Sequence, residues 1–309
     1  CRLITNVGLI GRLVQAYEIA IEAHQEGLSI GKALNNEFEI AQSLYNLSVL
    51  YELQGELDKS LQYTSNALVL CEDLNHSEGL AACSNQLGNV NYRQGNFEVA
   101  ARYFKQAKYY CDQEGMISEA ARALNNLALV YRNTQHLELA LEMLDQADVI
   151  LKHQPNEQIL AQVVLSRTIV FLAMGDTQMA KDILERFSEA RLEQLGDRIL
   201  YALHLNHQGE VALNQGKTEY AVSKLEQSQE VWYDIGGAIE QSVTLINLIR
   251  AYMKQDQLEK ARKCYAEAVL FFNDRKQYAL VRSIYPDLME LRLQIYKISE
   301  GILQHPYEC

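Results

Sequence analysis

Proline is nearly missing from this chain: 309 residues hold only Pro155, Pro286 and Pro306. Little is therefore present to interrupt long helical runs. Positive charge is also short. Twenty-eight Lys and Arg stand against 40 Asp and Glu, a formal net charge of -12. Sequence-independent nucleic-acid binding needs cations that displace counterions, and anionic membranes attract basic surfaces. Neither nucleic acid nor membrane is expected as a partner. No apolar run approaches the ~18 residues of a membrane span, and no signal peptide is visible. The six cysteines (Cys1, Cys71, Cys83, Cys111, Cys264, Cys309) include no CxxC pair. They read as reduced packing thiols of a cytoplasmic protein. The first residue is Cys1, not methionine. Whether an upstream domain is missing stays open; a mature lipoprotein with an acylated Cys1 is the less favoured reading, since Arg2 and Leu3 lead straight into the periodic pattern.

Signals for chemistry are equally sparse. HExxH, GxSxG and Gly-rich loops are absent. Gly216-Lys217-Thr218 has the end of a phosphate loop, but Val211 stands where that motif needs its first glycine. His204, His207 and Glu210 lie at i, i+3 and i+6. The last is about a third of a turn round the helix from the first and nearly two turns along, so the three do not converge as metal ligands. The chain alone is expected to be no enzyme, with no catalytic residue, metal site or cofactor.

What the sequence does have is a repeat. Gly55, Gly95, Gln135, Gly175, Gly216 and Asp256 fall 40, 40, 40, 41 and 40 residues apart. Five residues after each comes a small side chain: Ser60, Ala100, Ala140, Ala180, Ala221, Ala261. Seven further on stand Ala67, Ala107, Ala147, Phe187, Ser228 and Ala268. Seven before each turn stand Ser48, Gly88, Ala128, Thr168, Gly209 and Ile249. Small residues at these places let two helices approach closely, and leucines and tyrosines between them fill the gaps. The register extends upstream through Gly8 and Ala20 to a helix ending at Ala33. Such units cannot bury their apolar faces alone; stacking makes one core.

These small-residue positions resemble the tetratricopeptide repeat, with tyrosines at Tyr51, Tyr131 and Tyr252 and alanines such as Ala100 and Ala140. The period exceeds that family's usual length of about 34 residues. It resembles the long-helix variants: kinesin light chains, Pins-type polarity adaptors and Rap-type peptide-sensing regulators of bacteria. The stretch LNNLALVY at residues 124–131 is particularly like the kinesin-light-chain form. Departures are Asn91 at a usual tyrosine place, Gln135 and Asp256 for turn glycine, and Arg167, Thr168 and Phe187 in an atypical fourth full unit. The resemblance implies an all-α fold: a right-handed α-α superhelix, a solenoid of about seven helix-turn-helix repeats of 40 residues. It spans 1–275, its first repeat complete or cut short. A C-terminal capping helix at 276–299, containing Pro286, and a tail at 300–309 follow.

In such a solenoid the first helix of each unit lines a concave face. In residues 124–133 the core takes Leu124, Leu127, Ala128 and Tyr131, which leaves Arg122, Asn125, Asn126, Leu129, Arg132 and Asn133 on the exposed inner face. Equivalent or neighbouring places hold Tyr45, Asn46, Asn85, Gln86, Asn89, Arg93, Asn206, His207, Asn247 and Arg250. The result is a ladder of amides. A primary amide donates and accepts, so it can hold a peptide backbone whatever its side chains. The alternative is that the amides bridge neighbouring repeats. The arginines can fork onto carboxylates, which suggests a segment with acidic residues or a free C-terminus; ordinary pairing with nearby carboxylates is the alternative. Towards the C-terminal half the inner places turn apolar, as at Leu165, Leu213 and Met253. The expected function is a peptide- or protein-binding module of a signalling protein, sensor or regulatory. Two alternatives stay open: a static scaffold, homo-oligomeric through outer tyrosines such as Tyr109 and Tyr110, and an accessory domain of a larger ATPase or protease.

Overall fold

The computed structural model describes residues 17–235 and 239–274. The expected capping helix, the tail and the start of the first repeat lie outside them. Contacts divide the chain into two compact units, residues 1–155 and 156–309.

The first unit holds α1 (Tyr17–Ala33), α2 (Glu37–Leu53), α3 (Leu57–Asp73), α4 (Ser77–Arg93), α5 (Phe97–Glu114), α6 (Ile117–Asn133) and α7 (Leu137–His153). The second holds α8 (Glu157–Ala173), α9 (Thr177–Leu184), α10 (Glu189–Leu195), α11 (Arg198–Asn214), α12 (Thr218–Asp234), α13 (Ile239–Lys254) and α14 (Leu258–Asp274). Among the described residues every regular element is helical. First helices of successive hairpins also touch: α2 with α4 and α4 with α6 in the first unit, α8 with α11 and α11 with α13 in the second.

Every expected turn position adopts a left-handed backbone. Gly55, Gly95, Gly175 and Gly216 have φ of 76° to 80°, and Gln135 and Asp256 adopt 61° and 57° without being glycine. Each turn is closed by a bond from the next residue back over five positions, such as Glu56 N to Tyr51 O at 2.8 Å and His136 N to Tyr131 O at 2.8 Å. This is the Schellman way of satisfying the last carbonyls of a helix. Asn36, Asn156 and Asp176 then cap the following helices through their side chains. The α7 end is different. Gln154 is extended, as the residue before a proline should be, and Pro155 marks the division between the units.

The small-residue positions are where the helices meet. Of the twelve places five and twelve residues after a turn, none is more than 1% exposed. A side chain added at Gly88 would put its Cβ 2.5 Å from Phe104 Cε1, and one at Gly209 would lie 2.5 Å from Leu225 Cγ. The fourth full unit departs. Its second helix is split into α9 of 8 residues and α10 of 7, where α3, α7 and α12 run for 17. Phe187 occupies the place that alanine or serine holds elsewhere, fully buried, and a phenyl ring there leaves no room for the continuous close-packed helix. Ser188 starts α10 by accepting from Arg191 N.

The Gly88→Ala change tests the close approach. Alanine gains about 1 kcal/mol of helix propensity, whereas forcing a methyl into a packed core costs about 1–3 kcal/mol. A net loss of stability is expected in urea unfolding; an unchanged or higher midpoint would show that α4 and α5 can separate at little cost.

Candidate functional site

In the first unit the amides of the first helices hydrogen bond to one another across repeats. Asn126 Nδ2 on α6 donates to Asn85 Oδ1 at 3.1 Å and Asn89 Oδ1 at 3.2 Å on α4. Further along, Asn133 Nδ2 donates to Tyr92 Oη at 2.7 Å, and Arg132 Nη1 donates to Asn133 Oδ1 at 2.8 Å. All six residues are half-buried, as are Tyr45, Asn46, Arg93, Arg122 and Leu129. The three-asparagine cluster has spent only part of its capacity. Among the described residues, Asn126 Oδ1 and the Nδ2 groups of Asn85 and Asn89 make no further hydrogen bond. One acceptor and two donor groups therefore remain on a face that solvent can reach.

Asn125 corrects the expectation of an exposed position: it is 4% exposed, and its Oδ1 has no hydrogen-bond partner. The helix turns this position towards the neighbouring repeat, and Asn126 beside it takes the open edge. Gln86 is buried too. Its Nε2 donates to Glu52 Oε2 at 2.8 Å, and Arg93 Nε meets Glu52 Oε1 at 2.7 Å. The Arg93 charge is thus largely matched within the fold. The α4 pair Gln86 and Arg93 is tied to α2 through Glu52, which reasoning from sequence passed over. Its signal is positional: the corresponding places hold Tyr92, Arg132, Leu172, Leu213 and Met253, so Glu52 is the acidic departure from its row.

The second unit uses the same device more deeply. Asn247 Nδ2 on α13 donates to Asn206 Oδ1 on α11 at 3.1 Å, and Arg250 Nη1 donates to Asn247 Oδ1 at 3.4 Å. Asn206, His207 and Asn247 are buried, so none of the three presents the exposed amide or imidazole expected of it. The reason is that α11 and α13 are in more extensive contact than α4 and α6, which covers Asn206, His207 and Asn247 where the first unit leaves an open edge. Arg250 is half-buried at the rim. His207 Nδ1 lies 3.8 Å from Glu210 Oε2. Among the described residues no three His, Cys, Asp or Glu side chains come together at metal-binding geometry, and no helix is long and apolar enough to cross a membrane.

His204 is 2% exposed, and burial pushes its pKa down to about 4, with a smaller push from His207. Its Nδ1 has no hydrogen-bond partner. The four cysteines among the described residues are free thiols; Cys71, Cys83 and Cys111 are buried and Cys264 is half-buried. Burial raises Cys111 and Cys264 to about 11. A hydrogen bond with Cys83 is the main cause that lowers Cys71 to about 7 and raises Cys83.

This geometry defines a class: stacked helical hairpins joined by polar bridges between first helices. Residues 39–108 and 121–148 match two family models, each described as tetratricopeptide repeat. The chain contains tetratricopeptide repeats, and each unit has the fold of a tetratricopeptide-repeat solenoid. A kinesin light chain-related protein of Arabidopsis thaliana is 26% identical over 163 residues, covering 51% of this chain. The chain spans only 25% of that relative's length. Among solved structures, the Rap conjugation gene regulator of plasmid pLS20, in complex with the Phr* peptide, aligns over 97% of this chain and 75% of its own. Its TM-score is 0.65 and its identity 19%. NprR in complex with its cognate peptide NprX aligns over 97% and 84%, with a TM-score of 0.63 and 15% identity. At such identities these two establish likeness of fold.

Two predictions follow from the buried polar groups. Glu52→Gln removes the charge that faces Arg93; a loss of about 1–3 kcal/mol is expected, less than for a fully buried pair because Arg93 is partly exposed. A double-mutant cycle with Arg93→Met checks this, and additive effects would mean the pair is uncoupled. The second concerns pH. A histidine depressed to about 4 when folded takes up its proton more readily unfolded, near 6.5. Its contribution, at most about 3 kcal/mol, is present above pH 6.5 and is lost as pH falls towards 4. Unfolding of His204→Phe against the native chain should show a shallower pH dependence in that window; equal slopes would place the titration elsewhere.

Proposed function

We propose that the chain is a non-enzymatic module that binds an extended peptide or partner segment on the first-helix face of its first unit. It would act there as the sensor or regulatory part of a signalling protein. The observation that carries this reading is the Asn85–Asn89–Asn126 cluster, whose unspent acceptor and donors match the N–H and C=O groups of an extended backbone. Each such bond contributes about 0.5–1.5 kcal/mol net, so several are needed. The asparagines thus bridge repeats and still have capacity for a ligand. Arg122 and Arg132 flank the cluster on α6, half-buried, in a chain of net charge -12. They favour a segment with acidic residues or a free C-terminal carboxylate. The peptide complexes of the Rap regulator and of NprR support the reading, since they hold a peptide on the same kind of fold. We place the module in the cytoplasm on the strength of the four free thiols among the described residues, and we propose no cofactor for it.

A second reading, a static scaffold or homo-oligomer, is favoured by one observation. Val69, Tyr109 and Val149 recur 40 residues apart on the second helices α3, α5 and α7, each more than half exposed. Light scattering across a concentration series separates this from a monomeric receptor.

The direct test is selection of random displayed peptides on the native chain. Acidic or C-terminally exposed sequences are expected, and the Arg122→Glu, Arg132→Glu double variant should bind them at least roughly tenfold more weakly, about 1.4 kcal/mol. Circular dichroism controls for folding. Selected peptides that bind both proteins alike would move the site off this face.

A further inference from the structure

Two thiols of the first unit meet where α3 hands over to α4. Cys71 stands in the last turn of α3 and Cys83 in the second turn of α4. Both belong to one buried cluster, together with Leu80. Gly79 explains how they meet. A side chain there would put its Cβ 2.5 Å from Cys71 Sγ and 2.6 Å from His76 Nδ1. The Cys71 sulfur therefore fills the place of the missing side chain, beside the imidazole. Cys83 lies four residues after Gly79 and shares that face of α4. Helical side chains lean towards the N-terminus of their helix, which here aims Cys83 at the Cys71 sulfur. The two thiols are hydrogen-bonded to each other.

This contact makes the two sulfurs chemically unequal. The hydrogen bond with Cys83 is the largest influence on Cys71 and lowers it. His76 adds to the lowering, burial and Glu72 oppose it, and the thiol comes to about 7. The same contact pushes Cys83 up, so it stays protonated. Cys111 gives the contrast. It is as deeply buried, at 2% exposure against 4% for Cys71, but burial and the nearby Glu119 and Asp112 lift it to about 11. Cys71 also sits beside half-buried His76 and the exposed turn residues Leu74 and Asn75, whereas Cys83 is 1% exposed. A water-sized oxidant therefore meets Cys71 before Cys83. A thiolate beside a protonated thiol is a nucleophile with a second sulfur to resolve its product. In a compartment that keeps thiols reduced, a disulfide formed this way is transient and reports oxidation.

We propose that Cys71 and Cys83 form a reversible redox site, which hydrogen peroxide converts to a disulfide that ties α3 to α4. The Cys71 thiolate attacks one peroxide oxygen. The O–O bond breaks, Cys71 becomes a sulfenic acid, and the departing hydroxide takes up the proton that Cys71 gave to solvent. The Cys83 sulfur then attacks the sulfenic sulfur. The S–O bond breaks, the S–S bond forms, and the Cys83 proton leaves with the hydroxide as a second water. Two thiols are oxidised and one peroxide is reduced to two waters. A small thiol reverses the bond by exchange. The site uses neither the asparagine cluster nor its arginines, so either reading stands if the other fails.

The test treats the folded full chain with hydrogen peroxide, blocks the remaining thiols with N-ethylmaleimide and maps the product by mass spectrometry. Trypsin has no site between Lys59 and Arg93, so both cysteines fall in one peptide, residues 60–93. That peptide is expected to lose two hydrogens and take no N-ethylmaleimide, and to take it at both cysteines after dithiothreitol. Its cysteines should be consumed at least roughly tenfold faster than Cys111, whose thiolate is scarce. Cys83→Ser should stop the reaction at a Cys71 sulfenic acid that dimedone traps, and Cys71→Ser should leave Cys83 unoxidised. Circular dichroism checks the fold of both variants, and the map of the native chain decides the matter if either fails to fold. Sulfinic acid on Cys71 with Cys83 still free would show that the two sulfurs cannot bond. Consumption no faster than that of Cys111, or only in urea, would make them ordinary packing thiols. Either result overturns the proposal.

Discussion

Everything in this structure depends on how closely two helices of a hairpin can approach. At Ser60, Ala100, Ala140, Ala180, Ala221 and Ala261 the second helix carries nothing larger than a methyl or hydroxymethyl, and each of these side chains is fully buried. Gly88 and Gly209 go further: Phe104 and Leu225 occupy the volume their missing side chains would fill. Interiors packed at crystal-like density transmit such constraints, because a single added methyl must displace something. This close approach positions the first helices, and so which side chains face each other across repeats. The bridges Asn126–Asn85, Asn133–Tyr92 and Asn247–Asn206 all join positions about 40 residues apart because the repeat period brings them level.

Those bridges belong to the fold, and under the proposed function the ones in the first unit also serve recognition. A buried amide must be satisfied or it costs stability, so the covered pair Asn206–Asn247 in the second unit is committed to the fold. In the first unit the equivalent cluster sits at a half-open edge, and an amide with four hydrogen-bonding valences can bridge repeats without exhausting them. The difference between a structural bridge and the proposed recognition site is thus one of solvent access. Glu52 shows the same economy with charge: it holds Gln86 and Arg93 at once, which leaves Arg122 and Arg132 as the positive groups beside the amides.

The atypical unit shows what one position can do. Phe187 replaces an alanine or serine at the tightest place, and the second helix is broken beside it. The wall that is complete in other hairpins opens there, and His204 and Gln208 are left with buried atoms unmatched. Phe187 stands out of the small-residue pattern, but where the backbone goes when a helix cannot continue is set by packing, and no periodicity encodes that path.

Much of the fold was legible along the chain. A period of 40 with small residues at fixed offsets requires helical hairpins, since only the 3.6-residue repeat puts those offsets on one buried stripe. Even Gln135 and Asp256 were identified as turn residues by register, and both adopt the left-handed backbone that glycine takes elsewhere. The site was legible as a set of positions and not as a set of exposures. Asn125 and Asn126 are adjacent and chemically identical, yet one is buried and the other open, because the exposure of a side chain is set by the neighbouring helix and not by its own. Sequence by itself therefore determined the element type, the register and the places where helices touch, which are local and periodic. Which amides pair, which arginine is already held by Glu52, and where the outer wall opens were decided only in three dimensions, by contacts between residues some 40 apart whose partners no single repeat contains.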